Sequence, residues 1–172
     1  EKSRLQHYGI VASYRPYMPR ALPLLIEEAV ATRATLTDTD FAVALSGGLD
    51  SSLIALTCHA LGLKPSASIC VAPSAASIDL AHAREVASVM GCELIEVVLS
   101  EEQIREALPL IREHLDSPGH TPEPLKWRAA VRNWFVARES PSRVILCGEG
   151  ADEVIEGYPP PNALTPTYRL LK

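Results

Sequence analysis

The chain has 172 residues, 47% of them hydrophobic and 22% charged, an ordinary globular balance for one domain with a real core. No apolar stretch approaches the roughly 20 residues of a membrane span, and no signal peptide is visible. The net charge of −5, with Lys and Arg scattered, excludes the basic surface that nucleic acid requires. A small anion stays open as a ligand, because backbone amides hold phosphate without net positive charge.

Strands and helices alternate along the chain. Residues 21–33 set Leu22, Leu25, Ile26 and Val30 at helical spacing, and a Thr-Asp-Thr-Asp break follows. Residues 41–45 (FAVAL) form a short apolar strand of the kind buried on both faces of a parallel sheet. After the segment 46–50, residues 51–61 turn helical and Gly62 serves as C-cap. Residues 67–72 make a second strand. Asp79 is the expected N-cap of a helix running to Met90 and closed by Gly91. Residues 94–99 are the third strand, and Ser100 with Gln103 resembles a capping box that opens a helix to about Leu115. Residues 116–124 hold three prolines and a glycine and read as a loop. A helix over 125–138 offers Trp127, Val131, Trp134 and Phe135 for packing. Residues 143–147 (RVILC) are the fourth strand, leading into Gly148-Glu149-Gly150-Ala151-Asp152-Glu153 and a Gly-Tyr-Pro-Pro-Pro stop.

This order implies an α/β fold with a parallel twisted sheet and helices on both faces. Ligands of such sheets sit beyond the carboxyl ends of the strands, where both glycine-rich segments fall. The four cysteines, Cys58, Cys70, Cys92 and Cys147, show no CxxC pair or Cys/His ligand spacing, so structural zinc is not expected. Each lies in an apolar segment, as buried free thiols do, which favours a reducing compartment.

Ser46-Gly47-Gly48-Leu49-Asp50-Ser51-Ser52, between a buried strand and a helix, suits phosphate. The glycines allow close backbone approach, the helix start presents free N–H groups and a positive dipole end, and Asp50 can ligate Mg2+. The Gly-Lys-[Ser/Thr] ending of a Walker A loop is missing. SGGLDSS is instead similar to the PP-loop signature of the ATP pyrophosphatases, which include asparagine, NAD and GMP synthetases and tRNA-thiolating enzymes. Cys147-Gly148-Glu149-Gly150-Ala151-Asp152-Glu153 with Gly157-Tyr158 resembles the (S/C)GEGxDE…GY motif of asparagine synthetases and their β-lactam-forming relatives. The resemblance spans residues 20 to 160 and is strongest at the two motifs.

The resemblance implies a Rossmann-like PP-loop domain over 21–160, with an N-terminal extension over 1–20 and a C-terminal tail over 161–172. It implies a ligase that uses ATP and Mg2+ to adenylate a small-molecule carboxylate for attack by ammonia or an amine. Carried over to this sequence, Ser46, Gly47, Gly48, Ser51 and Ser52 would cradle pyrophosphate, and Asp50 and Asp152 would hold Mg2+. Adenine would sit near Leu45, Val71 and Gly148, and Glu149 would accept a proton or position the acyl adenylate.

Three departures from the family stand out. Glu1 is not the N-terminal cysteine nucleophile of the family's glutaminase domain, and the residues before the PP-loop are too few to form that domain. The family's late lysine is matched only by Lys172, so a protein partner supplying a missing C-terminal half enters the reading. The tyrosine of the lactam-forming relatives, about 35 residues before the motif glutamate, falls near His114, a candidate proton acceptor; Asp116 and Lys126 lie where the family binds its acyl substrate. The alternatives are a non-catalytic or split nucleotide-binding subunit, and another PP-loop adenylating transfer. No RNA-binding face or catalytic CxxC supports thiolation, no nucleic acid or membrane partner is expected, and the expected location is cytoplasmic.

Overall fold

Four apolar runs form one four-stranded sheet in the computed structural model of the protein, which describes residues 22–35, 40–115 and 124–152. The strands are β1 (Phe41–Ala44), β2 (Ser68–Ala72), β3 (Leu94–Val98) and β4 (Val144–Leu146). The helices are α1 (Leu22–Thr35), α2 (Leu49–Ala60), α3 (Ile78–Met90), α4 (Glu101–Leu115) and α5 (Pro124–Glu139). The sheet order is β3-β2-β1-β4, and every pairing is parallel. The α/β architecture is therefore the one expected from the alternating pattern.

Period-two alternation along the strands feeds two separate cores. Phe41, Val43 and Leu45, with Cys70 and Ala72, point into one of them, which α1, α2 and α3 cover through Val30, Ala55, Cys58, Leu80 and Ala83. Ala42 and Ile69, with Val97, point into the other, which α4 and α5 close with Ala107, Ile111 and the fully buried Phe135. The chain adds β2 and β3 on one side of β1 and then returns to place β4 on the other. Reversing the direction of strand addition, with right-handed crossovers, moves the helices to the opposite face. The crevice expected at such a reversal lies between β1 and β4.

Local chemistry explains most element ends. Ser100 N–H donates to Gln103 Oε1 at 2.9 Å, and Gln103 N–H donates to Ser100 Oγ at 3.1 Å, so the reciprocal capping box opens α4. Gly91 closes α3 in the left-handed region at φ 61°, ψ 33°. Pro124 begins α5, where a missing N–H costs nothing, although a loop was expected to extend through it.

Other expectations change. The N-cap of α3 is Ser77, not Asp79; Asp79 sits in the first turn, where its charge complements the helix dipole. The cap of α2 is Leu61, with Gly62 one residue beyond it at φ 70°. On α1 the residues that pack inward are Ile26, Val30 and Ala34, while Leu25 is 54% exposed, because the i, i+4, i+8 line is the one that meets the core. Pro109 stands inside α4, a feature the periodicity did not disclose. Cys58 and Cys70 are buried free thiols, but Cys92 is only half-buried and Cys147 is exposed, since it lies past the end of β4. No described helix is long and apolar enough to cross a membrane.

Candidate functional site

The segments at 46–52 and 147–152 leave the sheet side by side. β1 and β4 pair through Phe41↔Val144, Ala42↔Ile145 and Val43↔Leu146, and each segment begins within a few residues of its strand's end. Two contacts made possible by glycine then hold the first segment in place, one of them against the second segment. A Cβ on Gly148 would stand 2.8 Å from the Asp50 carbonyl carbon, 2.9 Å from Asp50 Cβ and 2.9 Å from the Ser51 nitrogen. A Cβ on Gly47, where φ is +84°, would stand 1.9 Å from the Asp79 carbonyl oxygen. The loop after β1 is thus clamped between the end of β4 and the first turn of α3 by backbone contacts that no other residue type permits.

Inside the loop, hydroxyls hold the backbone while leaving helix amides available. Ser46 Oγ and Ser51 Oγ lie 2.9 Å apart, Gly48 N–H donates to Ser46 Oγ at 3.3 Å, and Ser51 Oγ donates to the Gly48 carbonyl at 3.1 Å. Gly48 is the extended N-cap residue of α2, and no side chain caps that helix start. The first-turn N–H groups and the positive dipole end therefore face outward, the arrangement that accepts an anion. The half-buried Asp50 carries a carboxylate in the same turn. Beyond β4, Ala151 N–H donates to the Gly148 carbonyl at 3.3 Å and Gly150 takes φ +91°, so the chain turns sharply and brings Asp152 back toward the loop.

These pieces surround an open cleft of about 760 Å3. Ser46, Asp50 and Ser51 form one side, and Gly148, Glu149 and Asp152 another. Ala44, Ile69 and Val71 supply an apolar floor from β1 and β2. The fourth side is α5, which contributes Ala129, Arg132, Asn133 and Val136 at the i, i+3, i+4, i+7 spacing of one helix face. Asn133 Nδ2 donates to both oxygens of Glu149, at 3.1 and 3.3 Å. Arg132 is the one cationic side chain on the described wall, opposite three carboxylates. The cleft can therefore receive a polyanion at the α2 start, a cation between carboxylates, and a flat apolar group on the floor.

Of the residues singled out from sequence, the structure brings Ser46, Asp50, Ser51, Val71, Gly148, Glu149 and Asp152 to this one cleft. Gly47, Gly48 and Ser52 shape the loop without forming its wall, and Leu45 is fully buried in the first core, so its contribution is a main-chain one. His114 sits in the last turn of α4, outside the cleft wall; its Nδ1 is 2.8 Å from the Leu110 carbonyl and its ring meets Trp134 edge-on at 5.7 Å. Lys172, Asp116 and the Glu153 and Gly157-Tyr158 part of the second motif lie outside the described residues, as does the Lys126 side chain. Arg132 and Asn133 were not read as site residues. The helical spacing of Ala129, Arg132, Asn133 and Val136 was visible, but nothing in the sequence told which face of that helix would look into the cleft.

The asparagine synthase family model matches residues 21–170. Among curated relatives, the glutamine-hydrolysing asparagine synthetase of Asparagus officinalis is 33% identical over 165 residues, covering 89% of this chain and 27% of that protein. Glutamine-hydrolysing asparagine synthetase 1 of Arabidopsis thaliana is 35% identical over 155 residues, covering 83% and 26%. The chain thus spans about a quarter of the length of the curated relatives it matches. Among solved structures, the NH3-dependent NAD synthetase of Campylobacter jejuni matches with a TM-score of 0.52 over 83% of this chain and 62% of that one. At 14% identity that likeness concerns the fold alone.

Proposed function

This chain belongs to the asparagine synthase family, and from that premise we propose that it adenylates a carboxylate at the expense of ATP and delivers the acyl group to ammonia or an amine. The observation that carries the reading is the contact of Gly148 with Asp50 and Ser51, which joins the two motifs around one cleft.

The nucleotide's phosphates fit the uncapped start of α2, with Ser46 and Ser51 as further donors. Adenine fits the apolar floor of Ala44, Ile69 and Val71. Asp50 and Asp152 suit Mg2+, which is commonly bound through one or two protein carboxylates together with substrate phosphates. Among the described residues no group of three or more His, Cys, Asp or Glu could hold a metal unaided, so phosphate oxygens and water would complete the shell. When bound, Mg2+ would offset the charge that develops on departing pyrophosphate. Arg132 adds a fixed positive charge on the opposite wall.

In the first step a carboxylate oxygen of the acyl substrate bonds to the α-phosphorus as the bond to the bridging α,β-oxygen breaks, and pyrophosphate leaves. In the second the amine nitrogen adds to the acyl carbon, Glu149 takes a proton from it, and AMP leaves with the electron pair of the bond between the acyl carbon and the phosphate oxygen. Four unpaired cysteines among the described residues fit a cytoplasmic location.

ATP–pyrophosphate exchange with Mg2+, run across a panel of carboxylates that includes aspartate, tests the proposal. Exchange that depends on one carboxylate is the expected result. Mg-ATP binding by calorimetry without exchange for any carboxylate would overturn adenylation by this chain and favour a nucleotide-binding subunit that works with a partner.

A further inference from the structure

We infer that Asn133 is the positioning residue for Glu149, holding its carboxylate at the cleft in the orientation that receives the amine proton. The inference rests on the adenylating-ligase reading of the site but names a residue that neither motif contains.

Glu149 occupies an awkward place for a base. It lies in the turn between Gly148 and Gly150, outside any helix or strand, and its side chain is exposed. Such a carboxylate has free rotation about three side-chain bonds, and a proton acceptor must meet its donor within about 3 Å. No described residue of the loop itself bonds to the carboxylate. Asn133 does, from a different element: its Nδ2 reaches both carboxylate oxygens, at 3.1 and 3.3 Å. Only the nitrogen end of the amide can donate to a carboxylate, so the pairing also settles which way the amide points.

The anchor is firm where Glu149 is loose. Asn133 stands in α5 two residues before Phe135, which is 0% exposed in the second core, and beside Trp134, which packs against the same core. The amide is neutral. A lysine or arginine in its place would orient the carboxylate but also neutralise it as an acceptor, whereas asparagine donates a hydrogen bond and leaves the negative charge in place. Asn133 and Glu149 both line the cleft, and a single amide nitrogen leaves accepting lone pairs free on the two carboxylate oxygens.

The test separates orientation from mere fastening of α5 to the turn. Asn133→Ala should lower kcat of AMP formation with aspartate and ammonium roughly tenfold to a hundredfold, the range found when a metal ligand loses the hydrogen-bond partner that orients it, with KM for ATP changed by less than about twofold. Asn133→Asp, of the same shape but unable to donate, should be at least as damaging, and Asn133→Gln, which keeps the donor, should recover part of the rate. In Asn133→Asp/Glu149→Gln the hydrogen bond is restored with donor and acceptor exchanged; thermal stability should return without activity. Unchanged kcat in Asn133→Ala, or rate recovery in the exchanged pair, would overturn the inference. The pairing has a readout without turnover: the side-chain amide protons of Asn133 should shift in the NMR spectrum of Glu149→Gln. Absence of that shift refutes the pairing directly, while wild-type protein lacking turnover but showing the shift would count against the ligase reading and leave the hold on Glu149 established.

Discussion

Replacing each glycine of the site and of the helix ends by alanine would separate two physical costs. Gly62 and Gly91 have φ of 70° and 61° with nothing within 4 Å of an added Cβ, so alanine there meets only the left-handed backbone penalty, roughly 1–2 kcal/mol, partly offset by a stiffer unfolded chain. At Gly148 the added Cβ meets backbone at 2.8–2.9 Å, and ordinary contact begins at 3.4 Å, so the end of β4 and the start of α2 must part by about 0.5 Å. Overpacking of that kind costs about 1–3 kcal/mol. At Gly47 both costs combine, and the Asp79 carbonyl at 1.9 Å would have to retreat by 1.5 Å while Leu80 and Ala83, fully buried, hold α3 in place. Gly47→Ala should therefore lose more than about 3 kcal/mol, a large part of the 5–15 kcal/mol that keeps a domain folded. Urea unfolding gives the order Gly62→Ala ≈ Gly91→Ala, then Gly148→Ala, then Gly47→Ala. Function should not scale with stability: a misplacement of about 1 Å in a catalytic site can cost a hundredfold, so Gly148→Ala should lose at least tenfold in pyrophosphate exchange, out of proportion to its stability. Gly148→Ala as stable and as active as Gly62→Ala would refute the claim that close backbone contact sets the spacing of the two motifs.

Further outcomes follow from the acids and the thiols. Asp50→Ala and Asp152→Ala should each abolish Mg-dependent ATP turnover while circular dichroism and melting temperature stay near wild type; full activity in either removes that residue from the cation site. Cys147, exposed at the cleft, should be the first thiol alkylated at pH 8 and should be shielded by Mg-ATP, whereas Cys58 and Cys70 should stay unmodified until the protein unfolds, as read by mass spectrometry. Burial pushes the Cys58 thiol up to about 11, and burial together with the Asp79 and Glu96 carboxylates does the same for Cys70. The native state thus keeps protons that the unfolded chain sheds above pH 9. This stabilisation is complete below pH 9 and fades as pH rises toward 11, by up to about 2–3 kcal/mol per thiol. Replacing both by alanine should flatten that part of the stability–pH curve; an unchanged slope would contradict the assignment.

What could be read from the sequence was whatever short-range chemistry decides. The capping box at Ser100 and Gln103, the closure of α3 at Gly91 and the wholly apolar FAVAL strand, buried on both faces, all depend on neighbours a few residues away, and all are found where the pattern put them. The two motifs could be set at strand ends for the same reason. What stayed hidden depends on the crossing of elements distant in sequence. The α5 face that looks into the cleft, and with it Arg132 and Asn133, is decided by how Phe135 and Trp134 settle on the second core. Cys147 was grouped with the buried thiols because its strand is apolar, yet it lies one residue beyond β4 and faces out. A linear offset from Glu149 led to His114, but that offset runs across the connection between two helices, and the cleft wall is drawn from α5 rather than α4.

The strand order has a thermodynamic consequence. Of the two edge strands of the described sheet, β4 pairs with β1 over three residues where β3 pairs with β2 over five, so β4 is the edge that should open more readily. The nucleotide proposed for the cleft would bridge the β1–β4 pairing, with its phosphates on the β1 side and Asp152 on the β4 side. Ligand at a hundred times its dissociation constant adds about 2.7 kcal/mol to any opening that destroys its site. Amide exchange along β4 should therefore slow by about a hundredfold when Mg-ATP is present, while exchange at the far strand β3 changes little. The substrate would act as a reversible fastener for the weaker edge of the described sheet.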